Sequence, residues 1–254
     1  MTEERGGTGP AQPAARPDFG RFFEHYAVGP ELTLEERQEE KLRLVREIGR
    51  ADSIRDYGGL WGVHGLYLLE GAKALRCRRA EMVDYEPFPE FDENVKRLQA
   101  EWPVEVEMIK ASFQRPSLYD TLGPVDVALL YDVLLHQDNV DVVIKKVAEN
   151  TSKVVCVAQP VMVEALFSLP NGCVNLQFYP EELKDILRCP GLWPPEPPTT
   201  TFTTTFWMWG QTVSFLTSMF GGYGWDRTVL RVHRVSSYWH YALMRFAPRE
   251  GKTR

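Results

Sequence analysis

The chain has 254 residues, of which 44% are hydrophobic and 25% charged, with a formal net charge of -6. That balance describes a globular protein long enough to bury a core without cross-links, and its acidity excludes the basic face of a nucleic-acid binder. Arg76, Arg78 and Arg79, and then Arg227, Arg231 and Arg234, form groups too short for such a face and read as solvated surface. No run of about 18 apolar residues marks a membrane span, and the first residues lack the apolar core of an export signal. Neither a nucleic acid nor a membrane is therefore expected as partner. Cys77, Cys156, Cys173 and Cys189 make neither a CxxC pair nor a zinc spacing. A reducing, cytoplasmic setting is expected, with Cys156 a small core residue inside an apolar run.

Residues 1–17, rich in Gly, Pro, Ala and Thr, read as a disordered tail. Residues 18–50 read as a helical lid segment. It opens with an aromatic cluster, Phe19, Phe22, Phe23 and Tyr26, that needs a surface to cover. Thr33 then caps a helix, and Glu36 completes a capping box. Leu34, Leu42, Leu44, Val45 and Ile48 supply its apolar stripe, and Gly49 stops it.

From residue 51 the rhythm is strand, glycine turn, helix, strand. Residues 53–57 predict a strand leading into Gly58, Gly59, Gly62 and Gly65, with a helix over 66–75. A second strand over 80–83 ends at Asp84, a helix follows at 91–101, and a third strand at 104–109. Residues 125–130 and 153–158 are continuous apolar runs of the kind found in buried parallel strands, separated by a helix at 140–150. Residues 180–187 suggest a further helix, and 191–205, with four prolines and a threonine-rich stretch, a loop. Residues 211–220 look helical, with Gly221, Gly222 and Gly224 ending the helix. The segments 228–235 and 238–246 predict a closing antiparallel hairpin. Strands alternating with helices at this interval imply an α/β fold, a mostly parallel sheet of about seven strands with helices on both faces.

In such a sheet, ligands bind beyond the carboxyl ends of the strands. Four positions there carry chemistry. The first is Asp56-Tyr57-Gly58-Gly59-Leu60-Trp61-Gly62-Val63-His64-Gly65, where glycines permit a sharp turn and a close ligand. It fails the dinucleotide pattern GxGxxG, because Leu60 stands at the third position. The second is Asp84, roughly twenty residues past the turn, the distance at which an acid meets a ribose diol. The third is Ala111-Ser112-Phe113, a polar group and a ring suited to an adenine edge and face. The fourth is the run over 126–136, DVALLYDVLLH, which delivers Tyr131 and Asp132 to the sheet edge and begins a helix at Leu134, Leu135 and His136.

In this order, the four positions resemble the class I, Rossmann-like S-adenosylmethionine-dependent methyltransferases. The resemblance covers residues 48–159 and, more loosely, Trp207-Met208-Trp209-Gly210 and the final hairpin. It implies that 51–248 is the S-adenosylmethionine-binding domain, with substrate loops inserted around 161–210. Gly58, Gly59 and Gly62 would face the methionine part of the cofactor, and Asp56 would orient its ammonium. Asp84 would hold the ribose hydroxyls, Ser112 and Phe113 would border the adenine, and Tyr131 would line the sulfonium end. Ser112 departs from the acid often found there, and Trp61 is an unusually bulky residue for the glycine turn.

Methyl transfer from a sulfonium mainly needs alignment and a dry pocket. A base serves only where the accepting atom must lose a proton. His136 and Asp132 are the candidates for it, ahead of His64 in the glycine turn. His240, alternating with apolar residues in a strand, reads as structural, and His25 beside the N-terminal aromatics could join a lid. No closely spaced cluster of histidines and carboxylates suggests a metal. The aromatic segments at 19–26, 161–177 and around Trp207 and Trp209 describe the walls of a small-molecule acceptor pocket, and aromatics near both ends are consistent with a homodimer. Two other readings compete: a nucleotide-binding oxidoreductase on the same sheet, and a methyltransferase-like binding protein without turnover.

Overall fold

A computed structural model describes residues 26–167, 171–176 and 209–251. The tail at 1–17, Phe19 to His25, the helix at 180–187, the loop at 191–205, and Trp207 and Met208 lie outside these residues. The described elements run β1 (Val28–Gly29), α1 (Leu34–Arg46), β2 (Ser53–Tyr57), α2 (Leu66–Leu75), β3 (Arg79–Asp84), α3 (Pro89–Glu101), β4 (Glu105–Lys110), β5 (Val125–Tyr131), α4 (Val140–Glu149), β6 (Thr151–Met162), β7 (Cys173–Asn175), β8 (Trp209–Gln211), α5 (Val213–Gly222), β9 (Trp225–Arg234) and β10 (Trp239–Pro248).

Eight strands form the central sheet in the order β1-β9-β10-β6-β5-β2-β3-β4. β4, β3, β2, β5 and β6 are parallel. β10 runs antiparallel to both β6 and β9, so the expected hairpin is present and enters the sheet through its second strand. The two-residue β1 pairs with β9 and brings the count to eight, where the sequence suggests about seven. The helices cover both faces. Leu44 and Val45 of α1, Leu68 and Ala72 of α2 and Phe91 and Leu98 of α3 belong to one core. Val143, Ile144 and Val147 of α4 and Val213, Leu216 and Phe220 of α5 belong to the other.

The local signals act as the sequence implies. The Thr33 hydroxyl accepts from the Glu36 N–H, and the Glu36 carboxylate accepts from the Thr33 N–H, closing the capping box on α1. Several boundaries differ from the sequence reading. β6 continues to Met162 because β10 pairs with it as far as Trp239. Residues Leu134–His136 form only a short 3-10 turn, and α4 starts at Val140. The helix expected from 211 starts at Val213, where Thr212 caps it by accepting from the Phe215 N–H. Trp209–Gln211 instead pairs as a strand with Cys173–Asn175. Gly221 and Gly222 remain helical, and Gly224, at φ 85°, is the residue that leaves the helix.

Under the sheet, β2 and β3 share a fully buried ion pair. Arg55 donates to Glu81 from Nε at 2.6 Å, and its other nitrogens donate to the Gly123 carbonyl and the Tyr57 hydroxyl. Arg79 also reaches Glu81, at 3.2 Å. Every strong donor of the guanidinium thus has a partner, which is the condition under which a buried pair can be tolerated. Removing one partner strands a charge in the core. Glu81→Leu is expected to cost about 3–5 kcal/mol, read as a lowered denaturant midpoint. The double substitution Arg55→Met with Glu81→Leu should recover most of that loss, and a recovery of less than half would show that the pair itself is stabilising.

Candidate functional site

The strand order reverses between β2 and β5. The crevice beyond their carboxyl ends is the topological switch point, where open α/β sheets bind ligands. Asp56 on β2 points to the face covered by α1 to α3, opposite Arg55 and Tyr57. Its relative exposure is 0%, and neither carboxylate oxygen meets a partner at hydrogen-bonding geometry. Burial, and then repulsion from Asp84, raise its pKa to about 7, against the attraction of Lys41 and the Tyr57 N–H. A fully buried carboxylate without partners is costly, and such a cost is retained where a ligand offsets it.

The glycine turn is shaped around this carboxylate. Gly58 (φ 78°), Gly62 (φ 70°) and Gly65 (φ 79°) all hold left-handed backbone, and so does His64 (φ 46°). A Cβ added at Gly59 would lie 2.0 Å from Asp56 Oδ2, so only glycine lets the turn close over the acid. Asp84 at the end of β3 is tied to the same turn. Its Oδ2 accepts from the Leu60 N–H at 3.2 Å, and its Oδ1 accepts from the Tyr85 N–H at 2.7 Å. Burial raises the Asp84 pKa, opposed by these amides and that of Glu86. Trp61 and Tyr85, 52% and 62% exposed, stand beside these two anchors.

Phe113, after β4, packs its ring edge-on to Tyr57 with centroids 5.8 Å apart, and its Cε1 would lie 3.4 Å from a Cβ at Gly58. Phe113 therefore backs the glycine turn. Ser112 is half-buried beside it, its carbonyl accepting from the Arg115 N–H. On the other side of the crevice, Tyr131 is buried and donates from its hydroxyl to the Lys41 carbonyl at 3.1 Å. Asp132 adopts φ 55°, a left-handed conformation uncommon outside glycine. Both its oxygens are engaged: Oδ2 accepts from Lys41 Nζ at 2.5 Å and Oδ1 from the Tyr241 hydroxyl at 2.9 Å. His136 lies half-buried at the end of the next turn.

Lys41 is the residue that sequence reasoning missed. It is only 6% exposed, and its ammonium lies over the rings of Tyr67, Tyr131 and Tyr241, at 4.8, 5.8 and 5.7 Å from their centroids. Burial alone would depress this ammonium; the charge of Asp132, with Tyr67, outweighs it and leaves the pKa above its ordinary value. One turn earlier on α1, Arg37 stacks on the Tyr241 ring at 4.8 Å. A signal existed in the pattern: Arg37 and Lys41 occupy helical positions in line with the apolar stripe of α1, where cations are out of place. The other histidines stand apart. The His64 ring packs edge-on to Phe88 and the His240 ring edge-on to Tyr26.

No group of three or more metal-ligating side chains occurs among the described residues, and none of their helices is long and apolar enough to cross a membrane. No family model and no curated protein matches the sequence. Solved structures do match. A putative sarcosine dimethylglycine methyltransferase from Galdieria sulphuraria has a TM-score of 0.57 and 10% identity, covering 85% of this chain and 88% of that one. The N-methyltransferase NodS from Bradyrhizobium japonicum WM9, in complex with S-adenosyl-L-homocysteine, has a TM-score of 0.52 and 12% identity over 85% and 87%. Magnesium protoporphyrin IX methyltransferase from Synechocystis PCC 6803, with bound S-adenosylmethionine, has a TM-score of 0.51 and 11% identity over 84% and 78%. At these identities the likeness is one of architecture, and the chain has the Rossmann-like fold of the class I S-adenosylmethionine-dependent methyltransferases.

Proposed function

We propose that this protein is an S-adenosylmethionine-dependent methyltransferase that acts on an oxygen or nitrogen atom of a small-molecule acceptor, in biosynthetic metabolism of a reducing compartment. The observation that carries the reading is the orphaned carboxylate of Asp56, enclosed by a glycine turn that Asp84 ties down from the neighbouring strand. This donor set fits the cofactor. An amino-acid ammonium would supply the partner that Asp56 lacks, with Gly58, Gly59 and Gly62 passing along the methionine part. Asp84, held in place by the Leu60, Tyr85 and Glu86 amides, would hold the ribose hydroxyls. Ser112 and Phe113 would border the base. When bound, S-adenosylmethionine supplies a methyl group already activated by its sulfonium.

The protein then needs to align an acceptor and exclude water. Tyr67, Tyr131 and Tyr241 form an aromatic wall on the acceptor side. Burial holds Tyr131 and Tyr241 well above their ordinary pKa, so their hydroxyls remain neutral donors. Asp132, with both oxygens engaged by Lys41 and Tyr241, serves better as the organiser of this wall than as a base. Proton removal, where the acceptor atom must lose a proton, falls to His136 after β5.

Two tests address the cofactor site. Asp56→Asn should weaken S-adenosylmethionine binding by about 1–3 kcal/mol in calorimetry. The same substitution should stabilise the fold, increasingly so as pH rises. The raised pKa means that the stability linked to this group is fully present below about pH 4 and is lost progressively as pH rises to about 7. Asparagine should therefore add little below about pH 4, about 2 kcal/mol at pH 5 and about 4 kcal/mol above pH 7. In the wild type, affinity should fall towards about tenfold per pH unit below that value as the carboxyl protonates; a flat affinity between pH 5 and 8 would exclude an Asp56–ammonium contact. Asp84→Ala should cost about 1–3 kcal/mol of cofactor affinity, and adenosine affinity should fall in parallel while methionine affinity does not.

A further inference from the structure

Among the described residues, Arg37 has no counter-charge. Its guanidinium rests on the Tyr241 ring, its Nε–H is buried with no acceptor, and no carboxylate among the described residues forms an ion pair with it. Its neighbours on the same helix are satisfied. Lys41 is paired with Asp132, Arg43 with Glu40 and Glu47, and Arg46 with Glu39. On the facing strands, Arg231 and Arg245 are also paired, with Glu47. Of the carboxylates nearby, Glu36 closes the capping box and Asp132 is taken by Lys41 and Tyr241. Arg37 is therefore left without a paired carboxylate among the described residues, and a partly buried guanidinium with an unsatisfied N–H costs free energy until an anion meets it.

From this we infer that the methyl acceptor is a carboxylic acid and that Arg37 anchors its carboxylate. The inference rests on the methyltransferase reading for the word acceptor, and on Arg37 alone for the carboxylate. A guanidinium presents parallel N–H groups that match the two oxygens of a carboxylate, which a lysine cannot do. The contact with the face of the Tyr241 ring holds that fork in position. Tyr241 also donates to Asp132, so the ring that orients Arg37 is the ring that closes the aromatic wall. An acid held there would set its anionic end at α1, beside the Tyr241 ring that carries Arg37.

The test compares acids with their uncharged isosteres on the full chain. Benzoate, phenylacetate and hexanoate are titrated by calorimetry against their amides, with and without S-adenosylhomocysteine. At least one acid should bind about tenfold or more tightly than its amide, the scale of one charge-assisted hydrogen bond. Arg37→Gln should bring the two within about twofold, and Arg37→Lys should keep part of the preference because the charge remains without the fork. Equal binding of every acid and amide, or a preference that survives Arg37→Gln, overturns the inference. S-adenosylhomocysteine affinity is read in the same series: its loss in the wild type would sink the methyltransferase reading, while a preference for acids in its absence would still establish the carboxylate site.

Discussion

The site depends on one unfavourable arrangement, the burial of the Asp56 carboxylate without a partner. The sheet imposes it. Residue 56 is the penultimate residue of a central strand whose side chains are all buried, at the point where strand order reverses, and no side chain of the helices above hydrogen-bonds to it. The glycine turn then encloses the acid, because Gly59 has no Cβ to push it away. Such a cost persists only where surrounding packing over-determines it, and here the packing is the apolar core under α1 to α3 together with the Asp84–Leu60 tie. The carboxylate is thus prepared for a cation before any cation arrives, which is preorganisation in the electrostatic sense.

Much of this was legible in the sequence, because the relevant signals are local. A strand that ends in Asp56, a cluster of glycines, and Asp84 at the end of the next strand each follow from composition and spacing. The long apolar runs of β5 and β6 gave the parallel sheet, and Thr33 with Glu36 gave the start of α1 in detail. The boundaries that shifted did so for non-local reasons. β6 is longer than its apolar run because β10 pairs along it, and Trp209–Gln211 is a strand because Cys173–Asn175 lies beside it. Such partners cannot be inferred from the segment alone.

The acceptor side was less legible. Lys41 and Arg37 show in the sequence only as cations in line with the apolar stripe of α1, with nothing to name their partners, and Tyr67 and Tyr241 look like ordinary core aromatics. Their meaning appears only when α1, α2, β5 and β10 converge on Asp132. The left-handed backbone at Asp132 belongs to the same category, since no local pattern marks it. Cofactor and acceptor sides therefore differ in origin: one is written in consecutive residues at strand ends, the other in residues far apart that packing assembles.

That difference has a consequence during synthesis. Asp132 is clasped by Lys41 from the first described helix and by Tyr241 from the last described strand, across sequence separations of 91 and 109 residues. Contacts this distant form late, after the loops between them have closed. A growing polypeptide can complete the parallel half of the sheet, with the glycine turn and Asp84, while β10 is still on the ribosome. The clasp on Asp132 has to wait for that last strand, so the glycine turn and Asp84 can stand in place before Lys41, Asp132 and Tyr241 meet.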